Sequence, residues 1–416
     1  MKKINKILIS AGLLLTLNTP GVLAASEPPT ASAKGVVVLN AQTGEVLYDK
    51  NKDTAYAPAS PTKLMTALLT LENCNLDEKV TVGEVPPTIE GSKIYIDTGE
   101  ILTVRELLYS LIMVSANDCA AALAEHMGGN IEGFAKMMND RAKKLGCKNT
   151  NFTNPHGLYE ANHKTTAYDL ALIENELLKN PTYLEISKTK SMLLQPTNKF
   201  KEKRPLWNDN RLVQSGDDYY YKYCLAGKTG YTDEALHSYV GSARKDNETF
   251  VVAFLRDQDK TYFGDSRNFF DWAFNNFETV KCFTKNSEVT NYTTSDGTKI
   301  PILASNDAYY TKDKTLNEEP IISYDINKID KCTILSGQTI GTATFKYNNK
   351  EKKVDLISGI DYEPKNSNFL TKIFKSNSKM LNIGLILVGI FSCFLILTFI
   401  IIRKKKKKHK KNYFKR

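Results

Sequence analysis

Ser60 and Lys63 are the first two side chains of this sequence that could perform chemistry together. Pro61 follows the serine, and proline favours the first helical position while it keeps the preceding residue out of the helical conformation. We therefore predict that Ser60 caps a helix that runs to about Asn73. Because residues three apart share one face of a helix, the Lys63 amine can reach the Ser60 hydroxyl. The pair could be a nucleophile and its base.

Two further motifs strengthen this interpretation. A Ser-Pro helix start is ordinary capping chemistry, and a lysine three residues after a serine is common, so the first pair alone has little weight. Ser115-Ala116-Asn117 and Lys228-Thr229-Gly230 follow it along the chain. Three short motifs in this order are typical of serine enzymes that form an acyl intermediate.

The elements around the second motif should direct it into a cleft. Thr103 and Glu106 form a capping box for a helix that ends near Val114. Asn117 then offers an N-cap for the next helix, which Gly128-Gly129 would close. The second motif thus falls in a tight connection between two helices, where its side chains can project into a cleft instead of packing in the core.

The third motif lies in a region of different periodicity. Apolar spacing predicts mostly helix over residues 60–185, whereas short β runs follow, including 222–225 and 237–243. The Lys228 segment is predicted between those two runs, at the edge of a sheet. An extended peptide could add to such an edge through main-chain hydrogen bonds.

Both ends of the chain predict export and membrane attachment. Residues 1–25 combine three lysines, a short apolar run and a small residue at the expected cleavage site, which is the pattern of a secretory signal peptide. Residues 380–402 are almost wholly apolar, and at about 1.5 Å per residue they could cross a hydrocarbon core of about 30 Å. The positive-inside rule then keeps the basic tail at 403–416 in the cytoplasm. Everything between the two segments should face outward.

The positive charge of the chain is confined to this tail. The net charge is +10, but the tail contains ten of the 56 basic residues and none of the 46 acidic ones, so the rest is balanced. We therefore expect no nucleic-acid partner, and we expect the tail to contact anionic lipid. The seven cysteines show no C-x-x-C pair, so we expect no metal site, no cofactor and mostly buried, unpaired thiols.

From about residue 33 to 278 the chain resembles the serine-type D-alanyl-D-alanine carboxypeptidases, which are low-molecular-mass penicillin-binding proteins. Besides the three motifs, the likeness is carried by residues 37–51, 107–125, 134–145, 154–158, 165–169 and 227–235. The resemblance implies an α/β (α+β) catalytic domain of the β-lactamase and DD-peptidase type, with a helical lobe against an antiparallel sheet flanked by helices. A C-terminal all-β domain and a single transmembrane helix would complete the fold.

The resemblance also implies a role for each motif residue. The implied catalytic residues are Ser60, Lys63 and Ser115, and the implied substrate-binding residues are Asn117, Lys228, Thr229, Gly230 and Tyr231. Ser60 would be acylated, Lys63 would accept its proton, and Ser115 would relay that proton toward the leaving group. The backbone N–H groups of Ser60 and Tyr231 would form the oxyanion hole.

The substrate-binding residues would recognise a peptide end. Asn117 would hold a substrate amide, and Lys228, with Thr229 beside it, would attract the terminal carboxylate. The implied reaction removes the last D-alanine from peptidoglycan stem peptides through an acyl-enzyme, and β-lactam antibiotics would acylate the same serine.

We predict the following domains from these observations. They are a signal peptide at 1–25, a catalytic domain at 26–278, a β domain at 279–365, a linker at 366–379, a transmembrane helix at 380–402 and a basic tail at 403–416. The protein would be single-pass in the cell membrane, with its catalytic domain on the extracellular face. The anchor of this family is typically amphipathic, so a fully spanning segment would be a departure.

Several alternatives remain open at this stage. A β-lactamase shares all three motifs, but we find no glutamate motif for activating a deacylating water between Ser115 and Lys228. A β-lactam sensor would need a domain to receive its signal, which the short basic tail does not provide, and an idle wall-binding protein would usually have lost one of the motif residues, all of which are present. Transpeptidase and endopeptidase activities stay open.

Overall fold

The protein is described by a computed structural model that covers residues 27–316, 318–348 and 350–364. These residues form two compact units. Of the described residues, the first unit takes those from residue 27 to Cys282 together with Tyr309–Glu319, and the second takes Phe283–Ala308 and those from Pro320 to residue 364. The predicted signal peptide, linker, membrane helix and basic tail lie outside the described residues. Within the described ranges, no helix is long and apolar enough to cross a membrane.

The helices of the described chain all belong to the first unit. They are α1 (Thr62–Asn73), α2 (Val104–Met113), α3 (Asn117–Gly128), α4 (Ile131–Leu145), α5 (Ala167–Leu177), α6 (Pro181–Lys188) and α7 (Tyr262–Asn276). Short 3₁₀ turns lie at Pro86–Thr88 and Arg211–Val213. Six of the helices precede residue 190, which confirms the predicted helical region.

The strands fall mainly after the helices. They are β1 (Gly35–Asn40), β2 (Val46–Lys50), β3 (Lys79–Thr81), β4 (Ile101–Thr103), β5 (Ser191–Leu194), β6 (Arg204–Trp207), β7 (Cys224–Thr232), β8 (Leu236–Lys245), β9 (Glu248–Asp257), β10 (Phe277–Phe283), β11 (Glu288–Thr293), β12 (Lys299–Ala304), β13 (Ala308–Asp313), β14 (Ile321–Ile326), β15 (Thr339–Tyr347) and β16 (Lys350–Ser358).

A five-stranded antiparallel sheet organises the first unit, in the order β2-β1-β9-β8-β7. Helix α5 packs against β1 and β9, and α7 packs against β8 and β9. Alternate residues of β1 enter different cores: Val37 and Leu39 join the core of the helical lobe, while Val36 and Val38 join an aromatic core with α7. The predicted helical lobe against a helix-flanked antiparallel sheet is confirmed.

The second unit is built from β-strands. Its sheet has the order β11-β12-β16-β15-β14, and all its pairs are antiparallel. Alternating residues such as Ile300 and Ile302 on β12, and Ala343 and Phe345 on β15, are buried. This agrees with the predicted all-β character of the C-terminal part.

Two predicted helix starts are wrong, although the predicted capping box is confirmed. The Thr103 hydroxyl accepts from the Glu106 N–H, and the Glu106 carboxylate accepts from the Thr103 N–H. In contrast, α1 begins one residue later than predicted, with Pro61 at the cap position and no side-chain cap. Helix α3 begins at Asn117 itself, so that residue is not the cap either.

The described cysteines are less buried than predicted. Cys119 and Cys224 are buried, Cys332 is exposed, and the others have intermediate exposure. The expectation of small buried thiols is therefore correct for only part of the set.

Candidate active site

The Lys63 amine lies within hydrogen-bond distance of three oxygen atoms. Its Nζ is 2.9 Å from Ser60 Oγ, 2.6 Å from Asn117 Oδ1 and 2.7 Å from the backbone carbonyl oxygen of His156. The lysine is completely buried in the first turn of α1, whereas Ser60 keeps part of its surface exposed. The predicted pair is thus in contact, and two distant parts of the chain hold its amine.

Burial favours the neutral form of this amine. Desolvation, together with the positive charge of Lys228, lowers the pKa of Lys63 well below its ordinary value. A neutral amine has two N–H donors and one lone pair. The Asn117 amide oxygen and the His156 carbonyl can only accept, so they take both donors and leave the lone pair facing the Ser60 hydroxyl. That is the arrangement a general base requires.

Two glycines approach the backbone around Ser60 so closely that no side chain would fit. A Cβ on Gly157 would lie 1.9 Å from the Ala59 carbonyl oxygen. A Cβ on Gly230 would lie 2.8 Å from the Ser60 amide nitrogen and 2.4 Å from Pro61 Cδ. Gly157 has a φ of +88°, which glycine adopts readily, and Ala59 has a φ of +54°. These contacts fix the backbone before and after the serine.

A loop at residues 153–163 holds the first turns of α1. The Thr66 hydroxyl donates to the Pro155 carbonyl at 2.6 Å, and Thr62 Oγ1 lies 2.8 Å from His163 Nε2. Burial lowers the pKa of His163 to about 4, which keeps its ring neutral. Because Nδ1 accepts a backbone N–H, the proton is on Nε2 and is donated to Thr62.

The second motif occupies the connection between α2 and α3, as predicted. The Asn117 amide donates to the Glu90 carbonyl at 2.6 Å, while its oxygen accepts from Lys63. This use of the side chain explains why Asn117 does not cap its own helix. Ser115 is buried and has a φ of +62°, a conformation that is uncommon for serine and that turns the chain sharply here.

The third motif lies within β7, the last strand of the sheet order, and not between two runs as predicted. Lys228 is buried, and desolvation lowers its pKa to about 8, although the negative charge of Asp209 raises it. The Lys228 amine donates to the Thr229 carbonyl at 3.1 Å. The Tyr231 side chain is exposed, and its ring centroid is 4.6 Å from that of His237. The motif thus brings a buried lysine to a sheet edge.

This combination of groups can be compared with known proteins. The family model described as D-alanyl-D-alanine carboxypeptidase matches residues 22–258, more than half of the chain. This chain belongs to the D-alanyl-D-alanine carboxypeptidase family. A second model, for the C-terminal domain of penicillin-binding protein 5, matches residues 277–363. The family and the class of serine-type peptidase that the motifs predicted are therefore confirmed.

Individual relatives of this carboxypeptidase family support the same assignment. The D-alanyl-D-alanine carboxypeptidase DacF of Bacillus subtilis is 33% identical over 361 residues, which cover 83% of this chain and 90% of the relative. The crystal structure of penicillin-binding protein 5 from Haemophilus influenzae matches with a TM-score of 0.70 and 28% identity, over 80% of this chain and 98% of that one. A DD-transpeptidase of Streptomyces K15 matches with a TM-score of 0.56 and 30% identity, over 59% and 99%.

The predicted site residues of this carboxypeptidase converge on Ser60 to different extents. Lys63 contacts the serine and Asn117 directly. Gly230 approaches the Ser60 backbone, and Lys228 lies near enough to Lys63 to lower the pKa of that amine. The remaining predicted residues, Ser115, Thr229 and Tyr231, neighbour these groups along the chain.

Two carboxylates near the site were not predicted. Asp118 is buried and accepts from the N–H groups of Ile94 and Ile96 at 3.1 Å each, so it fixes this segment to α3. Asp209 raises the pKa of Lys228 through its charge. Asp118 directly follows the second motif, and this adjacency could have revealed it. No pattern around Asp209 distinguishes that residue from other acidic residues.

Proposed function

We propose that this carboxypeptidase removes the terminal D-alanine from peptidoglycan stem peptides through an acyl-enzyme on Ser60. The observation that carries this proposal is the 2.9 Å contact between the serine hydroxyl and the fully buried Lys63 amine. A serine hydroxyl is a weak nucleophile near neutral pH unless a neighbouring base accepts its proton. The lowered pKa of Lys63 makes its neutral form available for that role.

In the acylation step, Ser60 Oγ attacks the carbonyl carbon of the scissile peptide bond while its proton passes to Lys63. The carbonyl oxygen becomes an oxyanion, which the backbone N–H groups of Ser60 and Tyr231 would stabilise. Such donors are worth about 3 to 4 kcal/mol in a comparable serine hydrolase. Ser115 would pass the proton from the lysine to the leaving amine, D-alanine departs, and water later hydrolyses the ester.

Substrate binding would use the edge of the sheet and its buried lysine. Strand β7 ends the sheet order, so an extended peptide can pair with its free main-chain edge. The protonated Lys228 would attract the terminal carboxylate, with Thr229 and Gly230 alongside, and Asn117 would bind an amide of the stem peptide. β-Lactam antibiotics carry a carboxylate and a reactive amide, and we expect them to acylate Ser60.

We propose that the enzyme works outside the cell and is attached to its membrane. The signal peptide at 1–25 would direct export, and the apolar segment at 380–402 would span the bilayer, with the basic tail inside. The catalytic domain at 26–278 and the β domain at 279–365 would then face the wall. Anchoring suits an insoluble substrate because it confines the enzyme to the surface where wall is made.

Hydrolysis of a diacyl-Lys-D-Ala-D-Ala peptide tests the proposal. Wild type should release D-alanine, and Ser60→Ala should lose both this activity and the penicillin adduct. Ser215→Ala is the matched control because Ser215 is an exposed serine outside all three motifs. Release of D-alanine by Ser60→Ala, or a penicillin adduct mapped by mass spectrometry to another residue, would contradict the proposal.

The role of the lysine needs its own variant. Lys63→Ala should remain folded by circular dichroism and lose acylation, and normal acyl-enzyme formation would remove Lys63 from the mechanism. A D-amino acid added as acceptor distinguishes hydrolysis from transpeptidation, because it is incorporated into the product only by a transpeptidase.

A further inference from the structure

Three potential metal ligands meet at the opposite end of α1 from the active site. They are Cys74, Glu78 and His126, and one ligand atom from each lies within 4.8 Å of the other two. His126 Nε2 is already 3.0 Å from Glu78 Oε1. Cys74 is partly buried, while the other two residues are exposed, so an ion can reach the cluster from solvent.

The backbone holds these residues in place. The Cys74 N–H donates to the Thr70 carbonyl at 3.0 Å and thereby ends α1. The Glu78 carbonyl accepts from the Val104 N–H at 2.9 Å, which fixes the turn to the start of α2. His126 lies in the last turn of α3. Each ligand is therefore on, or tied to, a different helix.

We propose that Cys74, Glu78 and His126 bind a zinc ion, with water as a fourth ligand. A thiolate, an imidazole and a carboxylate are all common zinc ligands, whereas calcium and magnesium prefer oxygen ligands alone. With zinc–ligand bonds of about 2.0 to 2.3 Å, tetrahedral ligand atoms lie about 3.5 Å apart. Binding would draw the three ligand atoms together from their present spacing of up to 4.8 Å. On binding, the thiol releases its proton to solvent.

The zinc ion would have a structural effect. Helix α1 has 12 residues and so extends about 18 Å from its active-site end to Cys74. The ion is too far from Ser60 to touch substrate. It would instead link the C-terminal ends of α1 and α3, the two helices whose N-terminal ends carry Lys63 and Asn117. Binding to the folded state alone should raise the unfolding temperature.

Zinc titration of the full chain, reduced, chelator-treated and without an affinity tag, tests the site. We expect one equivalent to bind, with higher thermal stability and a thiolate charge-transfer band when cobalt replaces zinc. Cys74→Ser and His126→Ala should each weaken binding more than about tenfold, since even the loss of outer-shell partners typically costs that much. Cys332→Ser removes an exposed thiol of the second unit and should bind zinc normally.

The variants must first show wild-type circular dichroism without metal, and Glu78→Gln provides a third variant if one of them does not fold. Excess magnesium or calcium should not displace the ion. The proposal is overturned if wild type shows no saturable binding, or if Cys74→Ser and His126→Ala bind zinc as tightly as wild type.

Discussion

The charge of Lys228 should set the alkaline limit of the enzyme. Burial lowers the pKa of this amine to about 8, and only the protonated form attracts a carboxylate. Between pH 7 and pH 9 the protonated fraction therefore falls from about nine-tenths to about one-tenth. We expect kcat/KM for a peptide with a free terminal carboxylate to fall about tenfold over this range. On the acidic side, activity should fall as Lys63 gains a proton, because the charged amine cannot act as a base.

The assay compares two substrates across pH. One is diacyl-Lys-D-Ala-D-Ala, and the other is the same peptide with a terminal amide, which has no charge for Lys228 to attract. Only the free acid should lose activity between pH 7 and pH 9. Asp209→Asn should move this loss to lower pH, because the Asp209 carboxylate raises the pKa of Lys228. Lys228→Arg should abolish the loss, since a guanidinium stays charged over this range.

An equal loss of activity for the acid and the amide would refute this reasoning. So would an alkaline limit that Asp209→Asn leaves in place. Asp209 is exposed, so this substitution tests the electrostatics even if the buried Lys228→Arg change disturbs folding.

Three other predictions concern groups around the site and the core. Burial raises the pKa of Glu174 from 4.5 to about 7, so the free energy of unfolding should fall as pH rises between these two values. At pH 8, Glu174→Gln should raise the free energy of unfolding, measured with urea, by up to about 3 kcal/mol. Gly157→Ala should destabilise the enzyme and abolish acylation because its Cβ would clash with the Ala59 carbonyl. The control is Gly44→Ala, at a residue with a similar φ and open space around it; this change should lower the free energy of unfolding by only about 1 to 2 kcal/mol. Asn117→Ala removes the donor to a backbone carbonyl and should lower the free energy of unfolding by about 1 to 3 kcal/mol while it slows penicillin acylation.

The features that were predicted correctly are those in which the interacting residues belong to the same helix or helix end. The capping box of Thr103 and Glu106 needs only the first turn of α2, and the left-handed glycine at 129 ends α3 as predicted. The motif residues Ser60 and Lys63 are likewise one helical turn apart. These features depend on local geometry, which spacing along the chain determines.

Sequence reasoning failed where a side chain has a distant partner. Asparagine is a favoured N-cap residue. The Asn117 side chain instead accepts from the Lys63 amine and donates to the Glu90 carbonyl. The His156 carbonyl contacts Lys63 from a separate loop. Because every residue has a backbone carbonyl, the residue type at position 156 does not predict this contact. The expectation of no metal site stays a prediction, because C-x-x-C spacing cannot detect a cluster such as Cys74, Glu78 and His126, which only the packing of helices brings together.

The close approach of Gly157 and Gly230 to the main chain at Ser60 limits how antibiotic resistance could arise. Neither glycine can gain a side chain without displacing the nucleophile itself, so the enzyme cannot exclude a drug by adding bulk at these two positions. Substitutions that exclude a drug by added bulk would instead involve side chains that face solvent, such as Tyr231 on the strand beyond Gly230. We therefore expect selection under penicillin to leave both glycines unchanged.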